Sequence, residues 1–143
     1  MGTVKNLLQK KGTIVHSITP ESSVFDALEV LSNKNVGALV VVHDGELIGI
    51  FTERDYARKV VLKGRSSKDT CIADIMTDLP IFVSPENTID DCMQIMSDKY
   101  IRHLPVVDNG VLLGLISIGD VVKYVIEEKN FIIKNLEHYI VGQ

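Results

Sequence analysis

The stretch Gly49-Ile50-Phe51-Thr52-Glu53-Arg54-Asp55 returns 65 positions later as Gly114-Leu115-Ile116-Ser117-Ile118-Gly119-Asp120. Each copy closes an apolar run on a hydroxyl, Thr52 or Ser117, and sets a carboxylate three residues further on, Asp55 or Asp120. That is the spacing of a helix start. Working outward, the offset does not change. Asp44-Gly45 falls on Asn109-Gly110, Leu39 on Leu104, and Thr19-Pro20 on Ser84-Pro85. Val24, Ala27, Leu28 and Leu31, spaced as one face of a helix, fall on Ile89, Cys92, Met93 and Met96. Turn, core and polar positions agree together, which identifies a duplicated unit.

Within each unit the order reads β-α-β-β-α. A short apolar segment (Ile14 to Ile18; Ile81 to Val83) leads to Thr-Pro or Ser-Pro, a pair that ends a strand and opens a helix. A β-rich run follows, Gly37 to Val42 or His103 to Val107. Asp44-Gly45 and Asn109-Gly110 are two-residue hairpin signals. The second strand, Leu47 to Phe51 or Val111 to Ile116, runs into the repeated motif and its helix. One such unit cannot bury its sheet alone, whereas two packed face to face can. The leading segments, Thr3 to Leu8 and Cys71 to Met76, match at an offset of 68, so the first copy holds three extra residues near Gly12 to Val15. Residues 1–70 are the first unit with its leading segment and polar connector, 71–125 the second, and 126–143 a C-terminal helical tail. The tail is expected to break near Asn130, and its apolar face (Val125, Phe131, Ile132, Leu136, Tyr139, Ile140) needs a cover.

Composition narrows the function classes. A chain of 143 residues, 45% hydrophobic and 24% charged, with net charge −4, suits one compact domain and lacks the basic footprint of a nucleic-acid binder. No apolar run approaches membrane-spanning or signal-peptide length, so a cytoplasmic protein is expected. Cys71 and Cys92 are read as reduced, buried thiols, and none of the four histidines stands at a metal-ligand spacing. There is no Gly-rich phosphate loop and no nucleophile motif. An enzyme is not expected.

Asp74-Ile75-Met76-Thr77, Arg102-His103-Leu104-Pro105-Val106-Val107-Asp108 and the repeated Gly-to-Asp stretch together resemble a CBS domain, twice over, from Val4 to about Lys123. The resemblance implies an α/β fold in which two β-α-β-β-α repeats pack about a pseudo-two-fold axis as a Bateman module. It further implies clefts between the repeats for an adenosyl ligand (AMP, ADP, ATP, NAD or S-adenosylmethionine), a homodimer, and a regulated partner protein. The architecture crosses the copies. Ser117 and Asp120 are expected to face Thr13, His16, Ile18, Val36 and Gly37. Thr52 and Asp55 are expected to face Ile81, Val83, Ile101, Arg102 and His103, with Arg54, Arg102 and His103 as phosphate contacts.

The chemistry is reasonable for a nucleotide. A carboxylate accepts both hydroxyls of a ribose, charged hydrogen bonds are about twice as strong as neutral ones, and a helix N-terminus favours phosphate. The plainer alternative is that Thr-x-x-Asp and Ser-x-x-Asp are helix caps, each worth about 1 kcal/mol. Gly37-Ala38 stands where the second copy has Arg102-His103, so the two clefts are expected to differ in charge, which keeps NAD in play. The rivals are a structural dimerisation module with empty clefts and a fragment related to inosine-monophosphate dehydrogenase.

Overall fold

The computed structural model describes residues 2–141, the last by its backbone alone. Met1, Gly142 and Gln143, which close the segments 1–70 and 126–143, lie outside the described residues. The first copy runs α1 (Val4–Lys11), β1 (Ser17–Ile18), α2 (Val24–Lys34), β2 (Ala38–His43), β3 (Glu46–Thr52) and α3 (Glu53–Asp55), continued by a π-helical stretch, Tyr56–Val61. The second runs α4 (Ile72–Ile75), β4 (Thr77–Asp78), α5 (Ile89–Lys99), β5 (His103–Asp108), β6 (Val111–Ser117) and α6 (Ile118–Val141). The fold is α/β. No helix among the described residues is long and apolar enough to cross a membrane.

Local chemistry explains the shared parts. Asp44-Gly45 and Asn109-Gly110 all take positive φ, so each pair forms the tight turn whose twist suits a hairpin. Thus β2 pairs antiparallel with β3, and β5 with β6. Both hairpins slip register at the same place, between Val41 and Val42 and between Val106 and Val107. β1 joins β2 in parallel, and Val83 alone bridges Val106 in the same sense. The caps of α2 and α5 stand three residues after the proline: Ser23 and Thr88 accept from the N–H of Asp26 and Asp91. Thr19-Pro20 and Ser84-Pro85 instead form the preceding turns, with Ser22 N–H donating to Thr19 O and Asn87 N–H to Ser84 O. This corrects the expectation that the Pro pair itself opens the helix.

The copies are tied together by exchange. Val4, Leu7 and Leu8 of α1 lie in the second copy's core with Val83, Ile89, Cys92, Leu104 and Ile116. Ile72 and Ile75 of α4 lie in the first copy's core with Val24, Ala27, Leu39 and Phe51. The backbone repeats the exchange. Val4 N–H and Lys5 N–H donate to Asn87 O and Pro85 O, while Ile72 N–H and Ala73 N–H donate to Ser22 O and Pro20 O. The same contacts made both ways define the pseudo-two-fold. Each fully buried Leu or Ile contributes about 2 kcal/mol, so neither sheet is covered without the other copy's leading helix. The glycine that opens the repeated motif makes room for that helix. A Cβ on Gly49 would stand 2.6 Å from Met76 Sδ and 3.0 Å from the Thr77 carbonyl oxygen, and one on Gly114 would stand 2.9 Å from Leu8 Cδ2.

Three features differ from the sequence reading. The surplus of the first copy is partly helical: α1 has eight residues against four in α4, and ends at Gly12, where φ is +95°. α6 runs unbroken through Asn130 for 24 residues, because no Gly or Pro interrupts it and one Asn costs only a fraction of a kcal/mol in a helix. Cys71 is exposed at the start of α4, while Cys92 is buried and its thiol is pushed up to about 11 by burial and by the neighbouring Asp91 charge.

Candidate functional site

Two clefts lie where the copies meet, and each takes its repeated hydroxyl–carboxylate pair from one copy and its facing wall from the other. The first, about 800 Å3, is lined by Thr52, Arg54 and Asp55 and, from the second copy, by Ile81, Ile101, Arg102 and His103. The second, about 560 Å3, is lined by Ser117 and Asp120 and, from the first copy, by His16, Val36 and Gly37. Both volumes suit a small organic ligand. Gly37 and His103 border both clefts. They form the wall between them, and a Cβ on Gly37 would already stand 3.5 Å from the His103 ring. Three residues named from sequence lie outside the linings. Val83 is buried in the second copy's core, Ile18 packs on the first copy's core, and Thr13 is exposed. The side chains that hold the strands to the cores are not available to a cleft.

The two carboxylates sit differently. Asp55 is buried, and both its oxygens are engaged. Oδ2 accepts from Thr52 N–H (3.0 Å) and Thr52 Oγ1 (3.1 Å), and Oδ1 accepts from Thr77 Oγ1 (3.1 Å) and meets Lys59 Nζ at 3.0 Å. Asp120 keeps a quarter of its side chain exposed. Its Oδ2 accepts from Ser117 N–H (2.8 Å) and from Lys11 Nζ (2.5 Å). Among the described residues Oδ1 has no hydrogen-bond partner, so one oxygen remains for a ligand. Burial pushes the Asp120 carboxyl up, but the Lys11 ammonium and Ser117 outweigh it and hold the group below its ordinary value.

Charge separates the clefts further. The first gathers Arg54, Arg58, Lys59 and Arg102 against Glu53 and Asp55. Lys59 is spent on Asp55, and the Arg54 guanidinium donates to the Tyr100 carbonyl. Arg58 and Arg102 are exposed and make no side-chain hydrogen bond or ion pair among the described residues. In the second cleft Lys11 and Asp120 neutralise one another beside His16 and His103. Burial holds the His103 imidazole below 6.5, and Lys11, Arg102 and Arg54 add to this against the pull of Asp120, so the ring is neutral near pH 7.

Sequence reasoning missed Lys11, Arg58, Lys59 and Thr77. Lys59 stands four residues after Asp55, a spacing that pairs on a helix and was there to be seen. The only hint of Lys11 was the three-residue surplus: the extra turn of α1 is what carries its ammonium to Asp120, 109 positions away.

The family profile described as CBS domain matches residues 11–62 and 72–127. The chain belongs to the CBS-domain family. Among its relatives, the mitochondrial CBS domain-containing protein CBSX3 of Arabidopsis thaliana is 42% identical, over 98% of this chain and 72% of that one. A crystal structure of a CBS domain superimposes with TM-score 0.84 at 48% identity, covering 87% of this chain and 97% of the other. CBSX2 in complex with AMP superimposes with TM-score 0.74 at 29% identity, covering 90% and 99%. The CBS pair is a regulatory module, and the two clefts described above lie between its repeats.

Proposed function

We propose that this CBS pair binds an adenine nucleotide (AMP, ADP, ATP or NAD) between its repeats and reports it by a change in their relative arrangement. The observation that carries the reading is the pair of inter-repeat clefts with unequal chemistry. One is cationic through Arg54, Arg58 and Arg102, and the other offers a free carboxylate oxygen on Asp120. The AMP complex of CBSX2 supports the ligand class. The first cleft suits phosphates and the second a ribose, and a dinucleotide reaching past the Gly37–His103 wall would use both. A ligand spanning the copies stabilises one arrangement of them, and a partner protein that prefers that arrangement then binds more tightly. No catalytic step is assigned.

One observation favours the rival reading as a structural module. The Asp55 carboxylate is already saturated, as a helix cap and an anchor for Lys59 and Thr77. Titration calorimetry of nucleotide-stripped protein with AMP, ATP, NAD and S-adenosylmethionine separates the two. The nucleotide reading expects micromolar binding of a phosphate-bearing ligand, weakened about tenfold or more by Asp120→Ala or by Arg102→Ala. Heat from none of the four would leave the structural module.

A further inference from the structure

Lys11 is the last residue of α1, and Gly12, at φ +95°, ends the helix directly behind it. Its ammonium donates to the Leu115 carbonyl and to Asp120 Oδ2, both at 2.5 Å. An ammonium has three donors, so among the described residues one N–H of Lys11 is left over beside the unengaged Asp120 Oδ1. Apart from these two residues, no Lys, Arg, Asp or Glu lines the second cleft among the described residues. The His103 ring beside them is held neutral near pH 7. With Lys11 in place the two charges of the lining cancel; without it the lining is left with a bare carboxylate.

The repeat reaches this neutralisation twice, by different routes. Asp55 takes Lys59, four residues on in its own copy. At the position 65 residues after Lys59 stands Tyr124, which is buried in the second copy's core and offers Asp120 no charge. Conversely, 68 residues after Lys11, the offset that relates the leading segments, stands the exposed Leu79. Each carboxylate thus holds one ammonium, from its own helical stretch in the first copy and from the longer leading helix in the second. The results differ in one respect. Asp55 ends saturated, whereas Asp120 keeps one oxygen unengaged. The consequence falls on ligand charge. A phosphomonoester carries about −1.5 to −2 charges at pH 7, and a cleft walled by an uncompensated carboxylate repels it.

We propose that Lys11 determines the charge class of the ligand in the second cleft: its ammonium admits an adenosyl phosphate, and its loss turns the cleft towards an adenosyl cation. This rests on the nucleotide reading of that cleft. The test is a titration of the full chain followed by the imidazole NMR signals of His16, which lines the second cleft and not the first. AMP, adenosine and S-adenosylmethionine are the probes, because they share the adenosyl group and are anionic, uncharged and cationic in turn. Lys11→Met should weaken AMP at least tenfold, leave adenosine within about threefold, and tighten S-adenosylmethionine. Lys11→Arg, which keeps the charge, should hold AMP within about threefold of the wild type. An equal loss for all three probes would mean a structural role alone, and an unchanged AMP affinity in Lys11→Met would mean that the ammonium does not set the charge. Either result overturns the proposal and leaves the nucleotide reading standing. If no probe shifts His16 in the wild type or in Lys11→Met, the nucleotide reading of this cleft fails and the proposal falls with it.

Discussion

Asp55 and Asp120 occupy equivalent positions in the repeat, yet their surroundings give them different work. Asp55 accepts four donors and has almost no exposed surface, so its removal strands Lys59 and Thr77 as well as the cap. Asp55→Ala should cost about 3 kcal/mol of stability in a urea titration. Asp120→Ala should cost about 1 kcal/mol, since its ion pair with Lys11 is partly exposed and solvent screens it. Equal losses would mean that the two sites are equivalent after all. His103 provides a pH test. Its folded value lies below 6.5, so the contribution of the neutral ring is complete above that pH and is lost as pH falls through the folded value. Between about pH 7 and about pH 5 the wild type should therefore lose more stability than His103→Gln. Parallel pH profiles would show that the ring does not titrate against folding.

At the scale of elements, the leading helices explain why the repeated motif opens on glycine. α4 and β4 press on β3 so closely that a methyl group on Gly49 meets both a side chain and a backbone oxygen. Gly49→Ala should destabilise the protein by about 2 kcal/mol, the usual cost of overpacking. Gly114→Ala should cost less, because the atom it meets is the flexible end of Leu8. Thermal unfolding of the two variants checks the order, and a milder effect at Gly49 would contradict the exchanged packing. The π-helical stretch after α3 and the 24-residue α6 are the point where the two copies part company. Equivalent positions begin helices of very different length, and only the second projects beyond the body of the domain.

At the scale of the whole molecule, the cores and the clefts are built by the same exchange between copies. Neither copy owns a complete core or a complete cleft, so a ligand in either cleft would touch both copies at once. The sequence by itself determined what depends on near neighbours: the duplication, both Asp-Gly and Asn-Gly hairpins, the helical spacing of α2 and α5, and the hydroxyl–carboxylate pairs at the starts of α3 and α6. Those features follow from turn conformation, side-chain period and capping, which act over a few residues. Only the tertiary structure decided the exchange of α1 and α4, the saturation of Asp55, and the reach of Lys11 to Asp120. A period or a cap motif carries no information about which distant donor will meet a carboxylate. That was settled by the need of two incomplete cores to borrow cover from each other.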